Sequence, residues 1–427
     1  MNTSANMEGR ALRENPSSQR RIPELDGLRG MAILMVIAWH YFYFFPGSDH
    51  NPGGVFRSLY VHLEHGIAIG WSGVDLFFVL SGFLIGGILL DARTSAHYFK
   101  VFYMRRVFRI LPIYYAWILA YLVWMYMIVP SLHSGIPGAA ETRWYQVCAH
   151  FLFLQNLGFV RYVGLGVPWL VSTWSLAVEE QFYLVAPPVI RFLSERMLAV
   201  FLGLTIIGAP LLRLLVRSQP HLDVGTNLDL AYILMPCRAD ALAIGVVAAV
   251  LWRKDAFRAW LSAHGRLLHG LLGLSFAGVI ALQAFSPDQH SIAMQAFGYD
   301  WLAVFYALIL ISVLARPGGT IAWFARRRGL GELGRVSYCL YLIHQLANGL
   351  SHRLLQLVIG SNPVWEVLAA PLLAFALSYA VATLSWKYFE NPLLRLGHRS
   401  RYFPETAGGG GAADGRNAES AAPQFAV

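Results

Sequence analysis

Arg29 and His40 stand eleven residues apart in an otherwise apolar run, R-G-M-A-I-L-M-V-I-A-W-H over 29–40. On a helix, eleven residues climb about 16 Å and return almost to the starting azimuth, so the two side chains share one stripe. A guanidinium near one membrane face and an imidazole deep in a span are costly to insert, and such groups serve a partner, a cavity or a reaction. The chemistry this pair allows is anion binding at one level and proton transfer at the other. The plainer account is an interfacial arginine with a hydrogen-bonded core histidine. Two more groups join the candidates. Arg106 and Arg109 are three apart in R-V-F-R-I-L-P (106–112) and share a helix face, so two guanidinium forks can grip one polyanion. Anchoring to lipid phosphates at the positive membrane face is the competing account of that pair.

Glu179 and Glu180 lie together in the apolar stretch W-S-L-A-V-E-E-Q-F-Y (174–183). Adjacent helical positions are about 100° apart, so only one of them faces the cavity that His40 would face. That one could orient and charge-stabilise the imidazole, as the third member of a triad does; a structural ion pair is the alternative. Asp75 reads equally as a functional carboxylate or as a helix-start or helix-pairing one. Arg238 and Asp240 read as members of a buried ion-pair network, and His344, on its own, as a satisfied core histidine. The punctuation from Trp386 to the E-N-P of 390–392 has no assigned task. There is no phosphate-binding G-x-x-x-x-G-K-[ST] loop, no G-x-S-x-G elbow and no H-E-x-x-H or cysteine-rich metal site. No histidine precedes an aspartate at the fourth or fifth position. These absences favour direct transfer with His40 as general base over a covalent protein intermediate, with no metal.

The elements that must hold these groups are membrane helices. The 427-residue chain is 56% hydrophobic and 13% charged, roughly half the charge of a soluble protein, with repeated apolar runs of membrane-crossing length. We expect an all-α, polytopic fold of about ten spans, at about 29–45, 69–90, 110–129, 172–190, 198–216, 231–252, 267–285, 299–314, 336–359 and 364–388. The net charge of +9 is a topology signal rather than a nucleic-acid one, because the basic residues collect in alternate loops. That bias puts both termini in the cytoplasm. Three scattered cysteines imply no disulfide framework. The expected organisation is a disordered cytoplasmic tail (1–24), one transmembrane domain (25–395) and a flexible Gly/Ala-rich tail (396–427). The long connection 130–168 is expected to hold a short re-entrant or interfacial helix near 147–157. The N-terminal segment has no apolar core, so the first span is expected to act as its own insertion signal.

Seven motifs in order give a resemblance. L-D-G-L-R-G with its R-x10-H, G-V-D-L-F-F-V-L-S-G-F, R-x-x-R-I-x-P, W-S-L-x-V-E-E-Q-F-Y, R-x-D-x-L-x-x-G, S-Y-x-x-Y-L-x-H and E-N-P together resemble the acyltransferase-3 family of integral membrane O-acyltransferases. The resemblance spans about 21–392. It implies transfer of an acyl group, most simply acetyl, from cytoplasmic acyl-CoA to a hydroxyl of a carbohydrate or glycosylated acceptor at the outer side of the inner membrane. By position it makes His40 the catalytic base, with Arg29 supporting its face and Glu179, or second Glu180, as its acidic partner. Arg106 and Arg109 would hold the CoA phosphates, and Asp26, Asp75, Arg238 and Asp240 would support the site. Larger members fuse a C-terminal extracytoplasmic hydrolase-like domain. Its absence here implies that the chain completes transfer alone or with a separate extracytoplasmic partner. The alternative reading is a transporter or flippase of a lipid-linked or polyketide product.

Overall fold

Long apolar runs fold as helices in a bilayer because only a helix satisfies its own backbone there. The computed structural model describes residues 22–42, 54–128, 144–158, 168–219, 224–360 and 363–403, and every regular element among them is helical. The principal helices are α1 (Pro23–Phe42), α2 (Gly73–Asp91), α3 (Tyr98–Val123), α4 (Trp144–Phe151), α5 (Trp174–Phe192) and α6 (Glu195–Arg217). They continue with α7 (Met235–Trp252), α8 (Gly265–Phe285), α9 (Tyr299–Ala315), α10 (Arg328–Ile359), α11 (Pro363–Ser385) and α12 (Asn391–Gly397). Seven helical stretches among the described residues are long and apolar enough to cross a membrane: Val61–Asp91, Tyr98–Met127, Glu195–Arg217, Asp229–Trp252, Gly265–Phe285, Met294–Ala315 and Val367–Gly397. Three further expected spans fall on α1, α5 and α10, whose Asp26, Arg29, His40, Glu179, Glu180 and His344 make them less apolar. The protein is therefore a multi-pass helical membrane protein, and its more polar helices are the ones that carry the candidate chemistry.

The closest packing joins α1 to α10 and α2 to α7, and glycines make both approaches. A methyl group added at Gly334 would sit 1.8 Å from the Asp26 carbonyl oxygen, and one at Gly82 would sit 2.1 Å from that of Leu242. With no hydrophobic drive between helices in lipid, such close backbone approach supplies the dispersion contact. Gly82→Ala is expected to cost at least the 1–3 kcal/mol typical of overpacking. The measurement is the thermal midpoint of the purified protein in detergent, with Gly203→Ala, whose added methyl meets open space, as the matched control. An unchanged midpoint for Gly82→Ala would refute this packing.

The largest fully buried side chains are two arginines, Arg213 and Arg238. Arg238 on α7 donates to Asp75 on α2 at 2.6 Å, and its guanidinium lies 4.0 Å from the centre of the Tyr299 ring. Arg213 on α6 donates to Asp240 at 2.6 Å and to Asp300 at 2.8 Å, and also to the backbone oxygens of Cys237 and Gln295. As expected, Arg238 and Asp240 each take part in buried ion pairing, each with a residue of another helix. Their positions on α7 differ by about 200° of turn, so they face different neighbours.

Boundaries shift at both ends. The first helix starts at Pro23, six residues before Arg29, because Pro suits a helix's first turn. At the other end α12 runs to Gly397, and Arg105 donates twice to the Ser400 carbonyl while facing the Tyr402 ring. The packed chain thus extends past the expected boundary at 395. In the long connection, α4 ends at Phe151 and a second short helix, Gln155–Gly158, follows Phe153, whose φ of 54° makes the break. Residues 1–21 and 404–427, which hold most of the expected tails, lie outside the described residues, as do the loop glycines at 47 and 53 and residues 129–143 and 159–167 of the connection.

Candidate active site

Two neighbouring cavities share Arg29, Arg109, Ser337 and Tyr338 in their walls. The inner cavity, of about 80 Å³, lies among α1, α2, α3, α5 and α10. Its wall is apolar (Val74, Phe77, Phe78, Leu84, Ile110 and Leu176 among others), and Arg29, Arg106, Arg109 and Glu179 are its charged members. The second cavity, of about 250 Å³, opens beside α12 and holds Asp26, Arg335, Glu390 and Arg395 as well.

The helices explain this convergence. Arg106 and Arg109 are one α-helical turn apart on α3, and Arg29 comes from the turn of α1 that Gly30 and Gly334 bring against α10. Arg29 lies 4.0 Å from Asp26, its neighbour three residues earlier. Arg106 is buried, its guanidinium about 6 Å from the Tyr183 and Phe102 ring centres, and its Nε meets no acceptor. Among the described residues neither Arg106 nor Arg109 makes an ion pair. Three arginines against one glutamate leave the cavity with excess positive charge, which an anionic ligand would neutralise.

Of the two adjacent glutamates, Glu179 is the one that lines the inner cavity. Its carboxylate accepts from Ser81 at 2.7 Å and from Tyr183 at 3.2 Å. The expected pairing with His40 is not among these hydrogen bonds: Glu179 lines the cavity that Arg29 lines, and His40, eleven residues further along α1, lines neither cavity. Glu180 lines neither cavity. Ser81 on α2 is the nearest donor to the cavity's carboxylate.

His40 is half-buried and sits beyond the inner cavity rather than on its wall. Its Nδ1 faces the Val36 carbonyl at 2.8 Å; a carbonyl can only accept, so Nδ1 carries the proton and Nε2 is the ring's basic nitrogen. The partner that the sequence did not supply is His344. Its ring centre is 4.8 Å from that of His40 at a 68° interplanar angle. His344 is fully buried, its Nδ1 lies 2.6 Å from the Tyr341 carbonyl, and its Nε2 meets no partner. Tyr341 does line the cavity, with its hydroxyl held by Ser175 at 2.7 Å and by the Ser172 carbonyl at 2.9 Å. One layer of side chains, Tyr341 foremost, therefore stands between the arginine-lined cavity and the paired imidazoles. The S-Y-x-x-Y-L-x-H motif was the available signal, since Tyr341 and His344 are three apart on α10. Arg213 and Asp300 were likewise missed, although an arginine inside the apolar α6 stretch L-L-R-L-L (211–215) is a signal of the same kind. Among the described residues no cluster of His, Cys, Asp or Glu could hold a metal.

Helices that bury charged groups around a cavity define a polytopic helical protein with an internal polar site. The acyltransferase domain model Acyl_transf_3 matches residues 22–383, and the chain belongs to that acyltransferase family. It is 26% identical over 392 residues to the peptidoglycan O-acetyltransferase OatA of Listeria monocytogenes, covering 89% of this chain and 57% of that protein. It is 28% identical to the putative peptidoglycan O-acetyltransferase YrhL of Bacillus subtilis over 89% of this chain and 56% of the relative. It is also 26% identical to the O-acetyltransferase OatA of Staphylococcus aureus, over 91% and 60% of the two chains. The chain thus spans less than two thirds of the length of these relatives. No solved structure matches it.

Proposed function

We propose that this acyltransferase moves an acyl group, most simply acetyl, from cytoplasmic acyl-CoA to a hydroxyl of a carbohydrate or glycosylated acceptor at the outer face of the inner membrane. In this reading the chain crosses the membrane ten times with both termini in the cytoplasm. The kinship with peptidoglycan O-acetyltransferases makes a cell-wall or surface glycan the natural acceptor class, and a separate extracytoplasmic partner would deliver the product where the acceptor lies beyond reach. The observation that carries the reading is the cavity in which Arg29, Arg106 and Arg109 converge without an equal number of acids, backed by the His40–His344 pair.

The chemistry then divides along α1. Arg106 and Arg109 hold donor phosphates, and the narrow apolar cavity takes the thioester arm. His40 Nε2 removes the proton of the acceptor hydroxyl as its oxygen attacks the thioester carbonyl. A C–O bond forms, the C–S bond breaks, and the CoA thiolate leaves and is protonated. Val36 fixes the His40 tautomer that this step needs, and His344 packs against the ring. Attack requires the Tyr341 layer to move aside, so that thioester and hydroxyl meet next to the imidazole. Asp75 and Arg238 brace α2 against α7 behind the cavity.

Donor binding is the direct test. CoA should bind the purified protein, and the Arg106→Ala, Arg109→Ala double variant should lose at least roughly a hundredfold in affinity, given that hydrogen bonds to charged groups are worth about 1.5–3 kcal/mol each. Undiminished CoA affinity in that variant would remove the donor from this cavity. A transporter would show ion-coupled flux with no dependence on CoA.

A further inference from the structure

The second cavity has no task in the reaction just described. It is about three times the size of the inner one and shares Arg29, Arg109, Ser337 and Tyr338 with its wall. Its cationic members come from helices that the sequence keeps far apart: Arg335 from the start of α10, and Arg395 from α12, one turn after the E-N-P motif. Trp386 adds a half-buried indole, and Asn391 an amide. The acids in it are engaged. Asp26 lies 4.0 Å from Arg29, and Glu390 accepts from Ser385 at 3.0 Å. Neither Arg335 nor Arg395 makes an ion pair among the described residues.

A ligand spanning both cavities must be broad and anionic at one end and thin and largely apolar at the other, with negative charge near the neck. We propose that this vestibule holds the phosphorylated nucleotide end of the acyl donor, with Arg335 and Arg395 on its phosphates and the Trp386 indole against its base. The assignment rests on the acyl-CoA reading above and adds the residues that would select a nucleotide-bearing carrier over a bare thioester. Arginine suits phosphate because its fork donates in a bidentate geometry, and a purine stacks on an indole face. It also gives α12 a role: Arg105 fastens the residues after α12 to α3, holding Arg395 and Trp386 opposite the Arg106–Arg109 helix.

The probe is adenosine 3′,5′-bisphosphate, the nucleotide end without the arm, titrated as a competitor of labelled CoA on the full-length protein in phosphatidylcholine nanodiscs. Displacement of CoA by the bisphosphate, but not by adenosine, is expected, and needs no variant. The Arg335→Ala, Arg395→Ala double variant should weaken both CoA and the bisphosphate roughly tenfold to a hundredfold. Both side chains are exposed, so the fold should tolerate the change, to be checked by size-exclusion profile. Arg328→Ala, which removes an exposed arginine paired with Glu332, should change nothing. CoA that binds the double variant at full affinity overturns the vestibule assignment while leaving Arg106 and Arg109 as the donor site. CoA that binds neither protein overturns it together with the donor reading. Failure of the bisphosphate to displace CoA, or its exclusion when phosphatidylglycerol replaces phosphatidylcholine, marks the cluster as a lipid-phosphate site and overturns the proposal.

Discussion

Replacement of His40 by alanine is expected to lower acyl transfer by about two to four orders of magnitude, the usual worth of a positioned general base. The variant should still insert and fold, because the lost ring is half-buried and its Nδ1 hydrogen-bonds the Val36 carbonyl within its own helix. CoA affinity should not change, since His40 lines neither cavity. That split is the discriminating feature: rate falls while donor binding stays. It is measured by transfer of labelled acetyl to a glycan acceptor beside CoA titration of the same preparation. Full transfer by His40→Ala would remove the imidazole from the chemistry. Loss of CoA binding alongside activity would show that the ring only holds up the helix.

Removing Arg238 should damage the protein more than any other single substitution considered. Arg238→Ala leaves Asp75 buried without its counter-ion, at 1% exposure, and breaking such a pair by deleting one partner costs about 3–5 kcal/mol. The consequence reaches the site, because Asp75 is on α2 between Val74 and the Phe77–Phe78 pair of the inner cavity wall. The expected result is a protein that is poorly recovered from membranes, or that melts far below wild type in detergent. An Asp75→Leu, Arg238→Leu double replacement should recover much of the loss, because it removes both charges at once. An Arg238→Ala protein as heat-stable as wild type would show that the pair contributes nothing to holding α2.

The spacing of Arg29 and His40 was legible because a helix has one period, and one helix contains both residues. The same rule made Arg106 and Arg109 neighbours and required that Glu179 and Glu180 diverge. It could not say which glutamate faced inward, nor at what height along α1 its helix crosses. That height gave Glu179 to Ser81 and Tyr183 and left His40 to His344. His344 was visible in the sequence only as one more histidine in an apolar helix, since its meaning comes from a residue 304 positions away. Arg335 and Arg395 were loop-side cations until α10 and α12 brought them to one opening.

What the amino-acid sequence determined by itself was local and periodic: helices, a membrane class, a family, and the faces on which charged residues lie. Only the tertiary structure decided which faces meet. Helix crossing depends on backbone approach at Gly82 and Gly334 and on ion pairs such as Asp75–Arg238, which are contacts between segments far apart in the chain. Height along the helix bundle is set by those crossings, and that height places the Glu179 carboxylate beside Ser81 and Tyr183.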